Sequence, residues 1–182
     1  MRRVAAGGCS AVTILAFETR RAIPADADAI ALAHQDSIRE IGPRFYPPPV
    51  VADWGEDLTR DLYVNAMADG EVFFVATGEI DGAPAVLGFA THRIDGTQHG
   101  TSVYVRGVAA RHGIGTALLR LAEADAIASG ATSLHIEASL AGVEFYKANG
   151  YEGVAAGETR LRTGRPIACV FMRKNLATVD RP

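Results

Sequence analysis

The sequence predicts an α/β fold of the α+β kind: one domain built on a mixed sheet, mostly antiparallel, with helices on both faces. Three observations predict it. Strand-like segments in the middle of the chain are separated by Asp81-Gly82 and Asp95-Gly96, turn signals that join antiparallel neighbours. A strand over Thr101 to Arg106 then runs through a glycine loop into a helix. That helix is followed by a further strand over Leu134 to Glu137, so strands four and five run parallel across a right-handed helical crossover.

Length and composition fit this reading. A chain of 182 residues suits a single domain over 1–182, and 48% hydrophobic residues is ample for a packed core. Lys and Arg number 18 against 21 Asp and Glu, for a net charge of −3, and no basic tract is longer than a pair. Nucleic acid is therefore not the expected partner. Cys9 and Cys169 form no metal-binding or redox spacing and read as reduced thiols of a cytoplasmic protein, with no metal site signalled. Arg2-Arg3 before the uncharged run from Val4 to Phe17 has the charge layout of a secretory leader. Its small residues and few strong hydrophobes favour a flexible extension over 1–12, and no membrane span is expected, since spanning needs about 20 apolar residues.

In chain order, Thr13 to Ala22 reads as the first strand. Pro24 starts a helix, with Asp26 and Asp28 complementing its dipole and Ile30, Ala31, His34, Ile38 and Ile41 on one face. His34 reads as a packed or rim histidine. Gly42-Pro43 ends the helix, and Tyr46-Pro47-Pro48-Pro49 is expected to be extended before Trp54 and a second helix through Leu58, Leu62 and Met67. Val72 to Ile80 and Ala85 to Arg93 form a hairpin, and strand four follows. Gly130 closes the helix after the glycine loop. Tyr146 lies on a short helix from about Leu140 to Asn149-Gly150, and Thr163-Gly164 turns a terminal hairpin.

The glycine loop carries the chemistry. From Val103 to Leu119 the order is strand, loop with Arg111, His112, Gly113 and Gly115, then helix. Glycines allow close backbone approach, and the first helical amides lack intrahelical acceptors, so the loop suits an anion. A dinucleotide fingerprint would need a glycine where Leu118 stands, and the Gly-Lys-Ser/Thr end of a P-loop is absent.

This stretch resembles the pyrophosphate loop of the GCN5-related N-acetyltransferases (GNAT), Arg/Gln-x-x-Gly-x-Gly/Ala entering a helix, with Ala110 where Arg or Gln is usual. A second stretch, Glu137 to Tyr151, resembles that family's Asn-x-x-Ala-x-x-x-Tyr-x-x-x-Gly-Phe signature. Phe145-Tyr146 and Gly150-Tyr151 are in register, while Ser139 and Gly142 replace the usual Asn and Ala. The resemblance covers roughly Arg20 to Leu176 and implies a cleft between splayed strands four and five.

It implies acetyl-CoA as cosubstrate, contacted by Val103, Tyr104 and Val105 of strand four, by Arg111, His112, Gly113, Ile114, Gly115 and Thr116 of the loop, and by Ser139 and Tyr146. Tyr146 is the implied general acid, the Val105 amide the oxyanion contact, and Tyr46 and Trp54 the acceptor-side residues, unless both are core anchors. His92, Tyr104, His135 and Glu137 stay open as general base. The expected activity is N-acetylation of a primary amine, of a small molecule before a protein, with a homodimer left open as the assembly. The alternative is a CoA-binding sensing or structural module without turnover.

Overall fold

The computed structural model describes residues 16–176, so the expected extension over 1–12 and the start of the first strand lie outside the described residues. Seven strands form one sheet in the order β1-β2-β3-β4-β5-β7-β6. They are β1 (Phe17–Arg21), β2 (Val72–Ile80), β3 (Ala83–Asp95), β4 (Gln98–Val105), β5 (Ser133–Ser139), β6 (Glu152–Arg160) and β7 (Pro166–Asn175). Five α-helices accompany them: α1 (Ala27–Ile41), α2 (Pro48–Trp54), α3 (Arg60–Ala68), α4 (Ile114–Ala128) and α5 (Val143–Ala148). All neighbouring strands are antiparallel except β4 and β5.

Turn chemistry sets the registers. Ile80 pairs with Ala83, leaving Asp81 (φ 52°) and Gly82 (φ 78°) as a two-residue loop with both residues left-handed. That geometry matches the twist of the flanking strands, and Asp-Gly tolerates it. Pro24 opens a short 3₁₀ turn that leads into α1, whose buried face carries Ile30, Ala31 and Ile38.

The proline run departs from expectation. Pro48 and Pro49 occupy the first turn of α2, where a missing amide hydrogen costs nothing and the fixed φ favours the helix. The stretch expected to be extended is thus helical from Pro48 up to Trp54, and the helix expected through Leu58, Leu62 and Met67 begins only at Arg60 as α3, leaving Leu58 in the connection.

Helices α1 and α3 cover one face of the sheet, where Ile30, Ala33 and Tyr63 pack with Phe73, Val75 and Phe89. The other face is covered by α4, whose Leu118 and Ala122 meet Phe74, Ala76, Leu87 and Ala90. A third cluster joins Leu119 and Ala126 of α4 to Tyr146 of α5, Leu134 and Ile136 of β5, and Met172 of β7. Strands β4 and β5 share one paired position, Gly100 with His135, and then diverge. The functional cleft opens from that divergence.

Candidate active site

Side chains alternate along β4. Ser102 and Tyr104 face α1, with Ser102 Oγ 3.0 Å from Thr91 Oγ1 and the Tyr104 ring stacked on Phe89, while Val103 and Val105 face α4. Backbone amides alternate too. Arg106 N–H donates to Leu87 O on β3, whereas Val103 N–H points the other way and donates to the Tyr146 hydroxyl at 3.0 Å. Val105, two residues on, presents its amide on the same edge as Val103, toward the gap left by β5.

Tyr146 enters the gap from α5 on the far side. Its ring is buried, packed edge-on against Phe145 and Tyr151. Gly142 gives it room: a Cβ there would lie 3.2 Å from the Tyr146 ring, a tight contact that an alanine would have to relieve by a small shift. Burial raises the Tyr146 pKa above its ordinary value, with the Val103 amide working against the rise. The phenol therefore holds its proton at neutral pH. Because the hydroxyl accepts from Val103, its proton is left to donate elsewhere.

At the mouth of the gap, β4 ends in a 3₁₀ turn at Gly107–Ala109, fastened to α1 by Val108 N–H donating to Glu40 Oε2 at 3.1 Å. The loop then takes two left-handed residues, Arg111 (φ 69°) and Gly113 (φ 79°). A non-glycine residue there is uncommon, and left-handed residues in a turn are one way in which successive amides are gathered into a concavity. A Cβ on Gly113 would meet nothing, so only backbone hand requires that glycine. Gly115 is different: a Cβ would stand 3.0 Å from the Phe145 ring, so a larger residue would press on the packing between α4 and α5.

These elements enclose a cleft of about 1110 Å³ that takes in Val103, Tyr104, Val105, Arg111, Gly113, Gly115, Thr116, Ser139 and Tyr146. Two residues of the predicted loop set do not reach it with their side chains. Ile114 is buried in the core beneath the loop. His112 folds back so that Nδ1 lies 2.8 Å from Ala110 O, which ties the ring to its own loop.

The opposite half of the cleft is walled by His34, Tyr46, Trp54, Leu58 and Leu62, and by Arg160, Leu161 and Arg162 of the β6–β7 hairpin. Tyr46 is both wall and brace. Its hydroxyl donates to Ala168 O at 2.8 Å and accepts from Leu140 N–H at 2.7 Å, tying β7 to the end of β5. Trp54 packs edge-on against both Tyr46 and Tyr104, with centroids 5.6 and 6.4 Å away.

His34, which sequence reasoning left as a packing residue, borders this half. Its ring lies 3.8 Å from the Tyr104 ring centre, and Nδ1 is 2.9 Å from the Tyr63 hydroxyl. Burial lowers its pKa to about 3 and raises that of Tyr63, so both are neutral and share one hydrogen bond. His34 Nε2 is shut from solvent and has no partner among the described residues. The signal for this was distributed: an α1 histidine meets β4 only through the fold.

The four base candidates part company. His92 is buried on the α4 face, with Nδ1 2.7 Å from Asp125 Oδ2 and Nε2 2.9 Å from His99 Nδ1, away from the cleft. His135 lies outside the lining. Tyr104 borders the cleft, but burial pushes its phenol up to about 12, against the pull of Trp54 and the Arg93 guanidinium. Glu137 also borders it, its Oε2 accepting from Thr159 Oγ1 at 2.6 Å.

Residues 69–153 match the family model of the acetyltransferase (GNAT) domain. That stretch of the chain is similar to a GNAT acetyltransferase domain. Solved structures repeat its fold at low sequence identity. A GCN5-related N-acetyltransferase from Rhodopseudomonas palustris is 24% identical with a TM-score of 0.74, over 90% of this chain and 98% of that one. PaiA N-acetyltransferase from Thermoplasma acidophilum, in complex with coenzyme A, is 17% identical with a TM-score of 0.68, over 88% and 99%. YncA from Salmonella typhimurium, a putative acetyltransferase with acetyl-CoA, is 20% identical with a TM-score of 0.65, over 91% and 97%. No curated protein matches the sequence. The GNAT resemblance, the mixed sheet and the parallel, diverging β4 and β5 expected from sequence are thereby borne out. No helix among the described residues is long and apolar enough to cross a membrane.

Proposed function

We propose that this chain transfers the acetyl group of acetyl-CoA to a primary amine, of a small molecule before a protein. The observation that carries the reading is the gap between β4 and β5. It has an anion-binding loop at its mouth and, deeper in, two features on facing walls: the outward Val105 amide and the protonated Tyr146 hydroxyl. The loop amides from Arg111 to Thr116 suit a pyrophosphate, with the unpaired N-terminal amides of α4 behind them.

The neutral amine forms a C–N bond to the thioester carbonyl carbon, the C–S bond breaks, the nitrogen loses a proton and the CoA sulfur gains one. Val105 N–H supplies a donor for the carbonyl oxygen as it becomes negative. Tyr146 faces the departing sulfur as hydrogen-bond donor and general acid. Glu137 is the group best suited to take the amine proton, directly or through water, because Tyr104 retains its own proton. Tyr46 and Trp54 wall the acceptor side. A small acceptor is favoured because Asp53, next to Trp54 on α2, holds Arg165 at the tip of the β6–β7 hairpin and so links two walls of the cleft.

Release of free thiol from acetyl-CoA across a panel of primary amines tests the proposal. Thiol release that depends on the amine, with a matching acetamide product, is the expected result. Binding of CoA without amine-dependent release would instead make the chain a binding module.

A further inference from the structure

Arg93 and Arg162 border the cleft, and among the described residues neither side chain has a carboxylate within ion-pair distance or a hydrogen-bond partner. Both are positioned. Arg93 pairs with Gly100 across β3 and β4 and lies over it, where a Cβ would stand 3.3 Å from the guanidinium carbon. Gly100 is also the last rung before β4 and β5 diverge, so this cation sits where the cleft begins. Arg162 sits in the turn between β6 and β7. Leu161 N–H closes that turn on Arg165 O at 2.9 Å, and Thr163 and Arg165 are both anchored on Asp53 of α2.

Both cations line the same cleft as His34 and Tyr104, and the His34 ring lies 3.8 Å from the Tyr104 ring centre with its Nδ1 2.9 Å from the Tyr63 hydroxyl. His34 Nε2, buried and without a partner among the described residues, is a further polar atom beside this wall. Glu137, in the same cleft, has no cation within ion-pair distance and is held only by Thr159. A cleft that leaves guanidinium groups and a carboxylate unpaired complements a ligand of both signs.

Resting on the acetyltransferase reading above, we propose that the acceptor is an amine that also carries an acid group, an amino-acid-like zwitterion. Its anion lies between Arg93 and Arg162 over the His34–Tyr104 platform, and its ammonium faces Glu137. This assigns Arg93 and Arg162 as specificity-determining residues for the acceptor.

The test compares matched pairs, each an α-amino acid and the amine left by removing its carboxyl group, for example phenylalanine with phenethylamine and leucine with isoamylamine. Acetylation is followed in the wild type, Arg93→Gln and Arg162→Gln. The acid member should be preferred by wild type, and each variant should lower its kcat/KM by about tenfold through KM, leaving the matched amine unchanged. Thermal stabilisation of the CoA-saturated protein by each member is read alongside, so binding is scored without turnover. Preference for the decarboxylated amines, equal losses for both members of a pair, or no stabilisation by any acid member would each overturn the proposal. Failure of the acetyltransferase reading has a separate signature, which is the absence of amine-dependent thiol release with either member of any pair, whether or not CoA stabilises the protein.

Discussion

Tyr146→Phe separates the two jobs of one hydroxyl, and the structure fixes what each loss should be worth. The ring packs against Phe145 and Tyr151 and is kept by Phe, so the core does not change. What goes is the acceptor for Val103 N–H, 3.0 Å away. An unsatisfied buried amide costs about 1–3 kcal/mol, and because Val103 is only half-buried beside an open cleft, the low end applies. Melting should fall by about 2–4 °C. For the chemistry, burial holds the phenol above its ordinary value, whereas a free thiol titrates near 8.5, so complete proton transfer to a thiolate is uphill. Most of the benefit must then come from the hydrogen bond to the sulfur as it gains charge, about 1.5–3 kcal/mol, or roughly 10- to 100-fold in kcat. Acetyl-CoA affinity should hold, since the loop is untouched. Stopped-assay turnover at saturating acetyl-CoA, with calorimetric melting of the same sample, measures both. Wild-type turnover in Tyr146→Phe with a confirmed acceptor would refute the reasoning and leave solvent as the proton source.

Two further outcomes follow from the loop and from His34. Gly113→Val meets no neighbour but opposes a left-handed backbone, so it should reshape the anion concavity and weaken CoA at least tenfold, whereas Gly115→Val should act mainly on stability through Phe145; isothermal calorimetry and melting tell the two apart, and equal CoA affinity in Gly113→Val would remove the loop's hand from binding. For His34, the folded pKa of about 3 lies below the unfolded value near 6.5, so the unfolded chain binds the extra proton and stability falls as pH drops through that window. Between pH 6.5 and 5 the loss is at most about 2 kcal/mol, and His34→Gln should flatten this part of the pH dependence of the urea midpoint; an unchanged slope would mean that His34 is solvated.

Local signals were the ones legible in the sequence. Asp81-Gly82 announced its hairpin because both residues accept positive φ, and Gly113 announced the loop for the same reason. The prolines misled because the residue that bends one chain into an extended segment also starts a helix, and only the partners of α2 decide between them. Gly115 lines the cleft as a loop residue and also lies close under Phe145, thirty residues away, a contact that no local pattern announced. Tyr146 was recognisable by register, but its bond to Val103 was not, since that contact exists only across the sheet's divergence. His34 was legible only as one position on a helix face, and Arg93 and Arg162 carried no pattern at all. They come from a helix, a strand and a turn far apart in the chain, and their lack of partners is visible only once the fold brings them together.

The single rung between β4 and β5 has a mechanical consequence. Backbone pairing does little to hold β5, β7 and β6 against the other four strands, so α4 acts as the rivet, with Leu118 and Ala122 set in one half and Leu119 and Ala126 in the other. Loosening α4 would let the halves breathe as separate cooperative units, with amide exchange across β5 to β7 rising together. A molecule lodged in the cleft spans that joint and makes the domain behave as one body, so occupancy would register in amides far from any contact with it.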